Sequence, residues 1–377
     1  MDQLAVAPIE VLRRRGSAKW RMHPADVLPS SIAEMDFDLA EPVRQALHAA
    51  VERGDLGYAD GFADLAIAYA DFAEGAWHWR PDPALVAPVT DVGVGAVELL
   101  RAVGARRAVI STPVYPPFLD WVPEAGARLI DVPLREGRLD PEALERAFRG
   151  GGAYLLCNPQ NPTGTVHTAT ELAAVVAAAQ RHGVVIISDE IHAPLALPGA
   201  RYTPLLAVPG AEDVAVVLAS ASKAWNLAGL KCALIVSGGP ATAPLLRRLP
   251  PDSRWRVGWL GVVAATAAFR HGEPWRSRLL HTLDDRRDYV TGLVRERLPE
   301  LTFVPPAATY LGWLSSGPAA TGTELADAVL THGRVAVEAG ENFGAGGAGH
   351  IRVNFATSRL LLDRIVQGIR TGLDSLG

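Results

Sequence analysis

Between about residue 42 and residue 240, short apolar runs alternate with helix-patterned segments, and three of the runs end in polar residues of different chemistry. Ala153-Tyr154-Leu155-Leu156-Cys157 leads into Asn158-Pro159-Gln160-Asn161-Pro162-Thr163-Gly164. Val184-Val185-Ile186-Ile187 leads into Ser188-Asp189-Glu190-Ile191-His192, and Val214-Ala215-Val216-Val217-Leu218-Ala219 into Ser220-Ala221-Ser222-Lys223. Strands separated by helices imply right-handed crossovers and a mostly parallel sheet. Such sheets hold ligands at the carboxyl ends of their strands. An amide, a carboxylate and an amine are therefore expected along one rim.

Further strands are expected at 108–111 and 232–236. One helix should open near Pro42, with proline in its first turn, and another should span 171–181 and stop at Gly183. From Glu273 a charged helical pattern reaches Leu298, after which strand-like runs at 301–304, 310–314 and 351–355 alternate with helices near Glu324 and Leu360. The expected fold class is α/β. A large domain, residues 41–272, carries a mostly parallel sheet flanked by helices. Residues 1–40 and 273–377 form a smaller α+β domain that includes an N-terminal arm.

Bulk properties exclude several classes. The chain has 377 residues, half of them apolar, and a net charge of −5 without a dense basic patch, so no nucleic-acid partner is expected. Arg13-Arg14-Arg15 reads as a solvated face. Cys157 and Cys232 are too few for a disulfide framework, which suits a reducing cytoplasm. The first residues lack a signal-peptide pattern, and no apolar run approaches the roughly 20 residues that span a bilayer. Ten histidines are scattered without metal-ligand spacing, so no metal is expected. Gly344-Ala345-Gly346-Gly347-Ala348-Gly349 satisfies G-x-G-x-x-G, but no helix follows to complete a dinucleotide site.

The chemistry lies in the three strand ends. A lysine at the end of a buried strand is desolvated, which lowers its pKa and suits Schiff-base formation. Lys223 for that bond, Asp189 facing a pyridinium nitrogen and Asn161 near a ring oxygen together describe a pyridoxal 5'-phosphate site. The hydroxyls of Ser220 and Ser222 suit the phosphate. Val92-Gly93-Val94-Gly95 reads as a loop entering a helix, where free N–H groups favour an anion.

With these motifs the chain resembles the fold-type I, class I/II aminotransferase superfamily, and within it the cystathionine β-lyase branch of MalY/PatB-type C–S lyases. Branch-level matches are Gly16-Ser17-Ala18-Lys19-Trp20, Met35-Asp36-Phe37, Thr112-Pro113-Val114-Tyr115-Pro116-Pro117-Phe118, His271-Gly272-Glu273-Pro274-Trp275, Ala308-Thr309-Tyr310-Leu311-Gly312-Trp313 and Ile351-Arg352-Val353-Asn354-Phe355. The resemblance runs from residue 16 to residue 359. It implies an aspartate-aminotransferase-like fold, with Gly93 and Val94 giving backbone amides to the phosphate and Tyr115 stacking on the pyridine ring. Lys231 stands where many aminotransferases carry a phosphate-binding arginine, and His192 where they often carry a tyrosine. Arg352 would grip the substrate α-carboxylate, a task suited to a bidentate guanidinium. Tyr58 would reach the phosphate of a neighbouring subunit, which implies a homodimer with shared active sites. Arg359 follows Thr357-Ser358 where the family usually has Cys-Pro, and it is given no role.

The implied substrate is a small amino acid. The implied reaction is carbon–sulfur β-elimination from cystathionine or a related cysteine S-conjugate, giving a thiol, pyruvate and ammonia. Amino transfer to a keto acid uses every one of the same residues, so the core motifs leave both reactions open, along with a regulatory protein that turns over little.

Overall fold

The computed structural model describes residues 3–377. After β1 (Leu28–Pro29) the chain builds a seven-stranded sheet from β2 (Val86–Val89), β3 (Arg107–Ile110), β4 (Arg128–Asp131), β5 (Gly152–Cys157), β6 (Val184–Asp189), β7 (Ala215–Ala219) and β8 (Ala233–Ser237). Their spatial order is β2-β8-β7-β6-β5-β3-β4. From β4 to β7 all pairings are parallel.

The central strands are buried end to end, as strands covered on both faces must be. Successive side chains enter opposite cores. Tyr154, Leu156, Ile186 and Val217 pack on one side, and Leu155, Ile187, Val216 and Leu218 on the other. Burying each such aliphatic side chain stabilises the sheet by roughly 1.5–3 kcal/mol relative to exposure.

β8 departs from expectation. It runs antiparallel to β7, with Ala219 opposite Leu234, and β2 runs antiparallel to β8, with Val89 opposite Ala233. The physical reason lies in the connection. Between Ala219 and Ala233 the chain makes only turns and one short 3₁₀ segment, Ala228–Leu230. A parallel return needs a crossover, usually an α-helix. The chain therefore comes straight back.

Helix boundaries follow local chemistry. Thr168 and Glu171 form a capping box at the start of Ala169–His182, and Gly183 ends that helix in the left-handed region. The helix expected near Pro42 spans Glu41–Glu52, with proline in its first turn. The charged helix is Glu273–Arg297.

Beyond it, β9 (Thr302–Phe303), β10 (Leu311–Ser315), β11 (Val335–Ala336), β12 (Glu338–Ala339) and β13 (His350–Asn354) follow. Four of them form an antiparallel sheet in the order β12-β13-β10-β9, while β11 pairs in parallel with β1. The glycine-rich segment 344–349 leads into β13 and not into a helix. No helix among the described residues is long and apolar enough to cross a membrane.

The N-terminal basic run is not simply a solvated face. The Arg15 guanidinium donates to the carbonyls of Met35 (3.2 Å), Asp36 (3.2 Å) and Phe37 (3.4 Å). Buried Lys19 pairs with Asp36 at 2.9 Å, and the Trp20 indole N–H donates to the same carboxylate oxygen at 3.0 Å. These side chains fasten the strap 30–37 to the body of the molecule.

Candidate active site

The parallel strands β3, β5, β6 and β7 all end at one rim, and because β8 runs against β7 and β2 against β8, the start of β8 and the end of β2 reach that rim too. A cavity of about 380 Å³ opens there. Gly93, Val94, Tyr115, Asn161, Asp189, His192, Ser220, Ser222, Lys223 and Lys231 all line it. Of the expected site residues only Arg352 and Tyr58 do not.

Lys223 follows β7, and its Nζ donates to the Ala33 carbonyl at 3.1 Å. That carbonyl accepts a second bond, from the Tyr310 hydroxyl at 2.8 Å. No carboxylate among the described residues pairs with the amine. Burial, and then the positive field of Arg352, bring its pKa down to about 8.

Asp189 closes β6. Its Oδ1 accepts from the Ile191 N–H at 3.1 Å, while burial lifts the carboxyl to about 6. His192 is buried beside it. Burial and the nearby Lys223 and Arg352 charges push the imidazole well below its ordinary range, so it is neutral. Its Nδ1 is buried without a protein partner, and its ring meets Tyr310 edge-on at 6.3 Å.

Arg352, on β13, stands behind the cavity wall. It donates to Asn161 Oδ1 at 3.0 Å and to the Ser31 carbonyl at 2.7 Å, and lies 4.9 Å over the Phe343 ring. Its Nε has no partner. The Asn161 amide thus links the guanidinium to the cavity. Two of the five guanidinium N–H donors are engaged, and the others, Nε–H among them, remain for a carboxylate.

The segment expected as a loop entering a helix is already helical: the helix Val92–Val103 begins at Val92, so Gly93 and Val94 sit in its first turn. Asp91 caps it, and its Oδ1 accepts from the Val94 N–H at 2.9 Å. The Val94 donor is therefore engaged by a side chain of this protein. Gly93 has a second reason to be glycine, since a Cβ there would lie 2.7 Å from Cζ2 of Trp121. The Trp121 indole packs over that turn and meets Tyr115 edge-on at 5.7 Å.

Ser220 Oγ lies 2.8 Å from Ser222 Oγ and 2.7 Å from the Cys232 carbonyl. Lys231, in the left-handed region at φ 55°, pairs through Nζ with Asp91 Oδ2 at 3.1 Å. Tyr58 is 83% exposed and touches Trp255 edge-on at 5.9 Å, outside its own chain's cavity. Arg359 pairs with Asp285 and covers the Tyr289 ring, away from the cavity.

Four contributors were not anticipated. Asp91 could have been found, because a capping residue before an apolar helix start is a sequence signal. Trp121, Tyr310 and the Ala33 carbonyl carried none, since their roles come from tertiary approach.

Fold and site together define an α/β enzyme whose main sheet carries a desolvated lysine and a buried aspartate into one cavity. A family model described as aminotransferase class I and II matches residues 26–369, and the chain belongs to that family. It is 47% identical, over 94% of each chain, to a Mycobacterium leprae protein provisionally named cystathionine β-lyase. It is 33% identical to the cystathionine β-lyase of Corynebacterium glutamicum, over 96% of this chain and 97% of the other. A crystal structure from Corynebacterium diphtheriae, provisionally described as a pyridoxal-phosphate-dependent β-cystathionase, superposes with a TM-score of 0.92 at 31% identity, covering 98% of this chain and 99% of that one.

Proposed function

We propose that this chain is a pyridoxal 5'-phosphate-dependent carbon–sulfur β-lyase acting on cystathionine or a related cysteine S-conjugate. The observation that carries this reading is the nearly full-length match to relatives named for that activity. The cavity supports it, because the residues suit the cofactor. Its lining combines the Lys223 amine, a first helical turn with Ser222 and Lys231, the flat ring of Tyr115, the Asp189 carboxylate and His192, whose buried Nδ1 has no partner among the described residues.

Bound there, pyridoxal 5'-phosphate supplies an electron sink for a carbanion at the substrate Cα. Lys223 would be the residue that holds the cofactor, and its Nζ would be the base that takes the substrate Cα proton. Asp189 keeps a proton on the ring nitrogen by offering it a buried negative charge. Tyr115 supports the ring face, with Asn161 and His192 beside it. Gly93, Val94, Ser220, Ser222 and Lys231 surround the phosphate. Arg352 would orient the α-carboxylate with the N–H donors that Asn161 and Ser31 leave free. Overall the Cβ–S bond breaks to release a thiol, and water converts the remaining three-carbon unit to pyruvate, its amino nitrogen leaving as ammonia.

In this reading residues 41–272 form the cofactor-binding domain, and residues 1–40 with 273–377 the smaller one. Tyr58 serves the site of a second copy, which makes the enzyme a homodimer. Its exposure, with Val51, Leu56 and Trp255 also exposed, supports that placement. The two unpaired cysteines suit the cytoplasm. The deciding assay incubates the purified protein with cystathionine and measures pyruvate and thiol. Release of both is expected. Amino transfer to a keto acid without pyruvate release would assign the aminotransferase reaction instead.

A further inference from the structure

Asp91 makes unusual company for a phosphate. Its Oδ1 takes the Val94 N–H of the helix's first turn and its Oδ2 takes the Lys231 ammonium. Asp91, Val94, Lys231 and Ser222 all line the same cavity. A phosphate ester seated there would call on the same donors, because the first-turn N–H groups and a nearby cation are what hold an anion at a helix start. Its negative charge would also lie close to the Asp91 carboxylate. Lys231 is thus shared between an internal anion and an external one.

We infer that Asp91 is an internal competitor of the cofactor phosphate, and that it limits how tightly this enzyme retains pyridoxal 5'-phosphate. The inference rests on the cofactor assignment above. The carboxylate cancels the charge of Lys231 and repels the phosphate, yet it also caps the helix. A neutral cap would preserve the fold and release Lys231. Asparagine and serine both cap helices as well as aspartate does.

The test uses the holoenzyme, with cofactor release followed by absorbance on dilution and the dissociation constant obtained by readdition. Asp91→Asn and Asp91→Ser should both tighten pyridoxal 5'-phosphate by about three- to thirty-fold, the span of single-charge effects at a helix terminus. Affinity for pyridoxal, which lacks the phosphate, should stay unchanged. Inorganic phosphate should compete more strongly in both variants. Retention should also become more sensitive to salt, because Lys231 then acts as an uncancelled charge. Lys231→Met should cost more affinity in the Asp91→Asn background than alone, as coupled neighbours do.

Unchanged or weaker binding of pyridoxal 5'-phosphate in both variants would overturn the inference, as would an equal gain for pyridoxal. A parent protein that holds no pyridoxal 5'-phosphate at all would instead overturn the functional reading beneath it.

Discussion

At Lys223 the protein lowers the pKa of an amine that pairs with no carboxylate among the described residues. Burial and the Arg352 charge outweigh the opposing fields of Glu34 and Asp189, and Nζ donates to a backbone carbonyl. The neutral, nucleophilic form therefore dominates above about pH 8, well below an ordinary lysine. Trapping of pyridoxal 5'-phosphate with borohydride should rise through that pH, and peptide mapping should find the label on Lys223. Lys223→Ala should abolish it; label on another lysine, or a rise delayed to pH 10, would refute the assignment. Asp189 titrates in the opposite sense: it is ionised above about 6. Turnover should fall as pH drops through that value, while Asp189→Ala should keep the cofactor and lose turnover at every pH. Arg352→Ala should raise KM for the amino acid strongly, corresponding to about 1.5–3 kcal/mol for a charged hydrogen-bonding contact. If KM were unchanged, the carboxylate role would be wrong.

Among the elements, the strap 30–37 ties the Lys223 amine to the Arg352 guanidinium. The Ala33 carbonyl holds Lys223 and Tyr310, the Ser31 carbonyl holds Arg352, and Asn226 grips both the N–H (2.9 Å) and carbonyl (3.0 Å) of Met35. Tyr310→Phe should leave the fold intact but displace the pH profile of turnover, because the carbonyl that orients Lys223 loses its second donor. An unchanged profile would reduce Tyr310 to packing. Lys19→Met should destabilise the protein by about 3–5 kcal/mol in urea titrations, since it leaves the Asp36 carboxylate buried without its cation. Met35-Asp36-Phe37 stood out in the sequence, but the strap's part at the site did not, because there it acts through the carbonyls of Ser31 and Ala33, which every residue has. Lys223, Asp189 and Asn161 were legible because side chains at strand ends must do something with their polarity. Strand existence was legible from apolar runs, whereas the direction of β8 was not, because direction depends on what a connection lacks.

For the whole molecule, the proposed homodimer with shared sites has a direct test. Tyr58→Phe protomers mixed with Lys223→Ala protomers should form hybrids in which one site carries both lesions and the other neither. Activity should exceed the mean of the two parents, provided that Tyr58→Phe alone is measurably impaired. No recovery would place Tyr58 in its own chain's site or in none. The reversal at β8 has a consequence of its own. Because the chain turns back without crossing the sheet, Lys223 and Lys231 are two marks on a single short tether anchored at both ends by paired strands. In the proposed assignment, Lys223 holds the cofactor's carbonyl carbon and Lys231 meets its phosphate, so chain length limits the distance between those two points. That tether works as a gauge, so adding or deleting one residue within 224–230 would mis-set it even where the surface has room for the change.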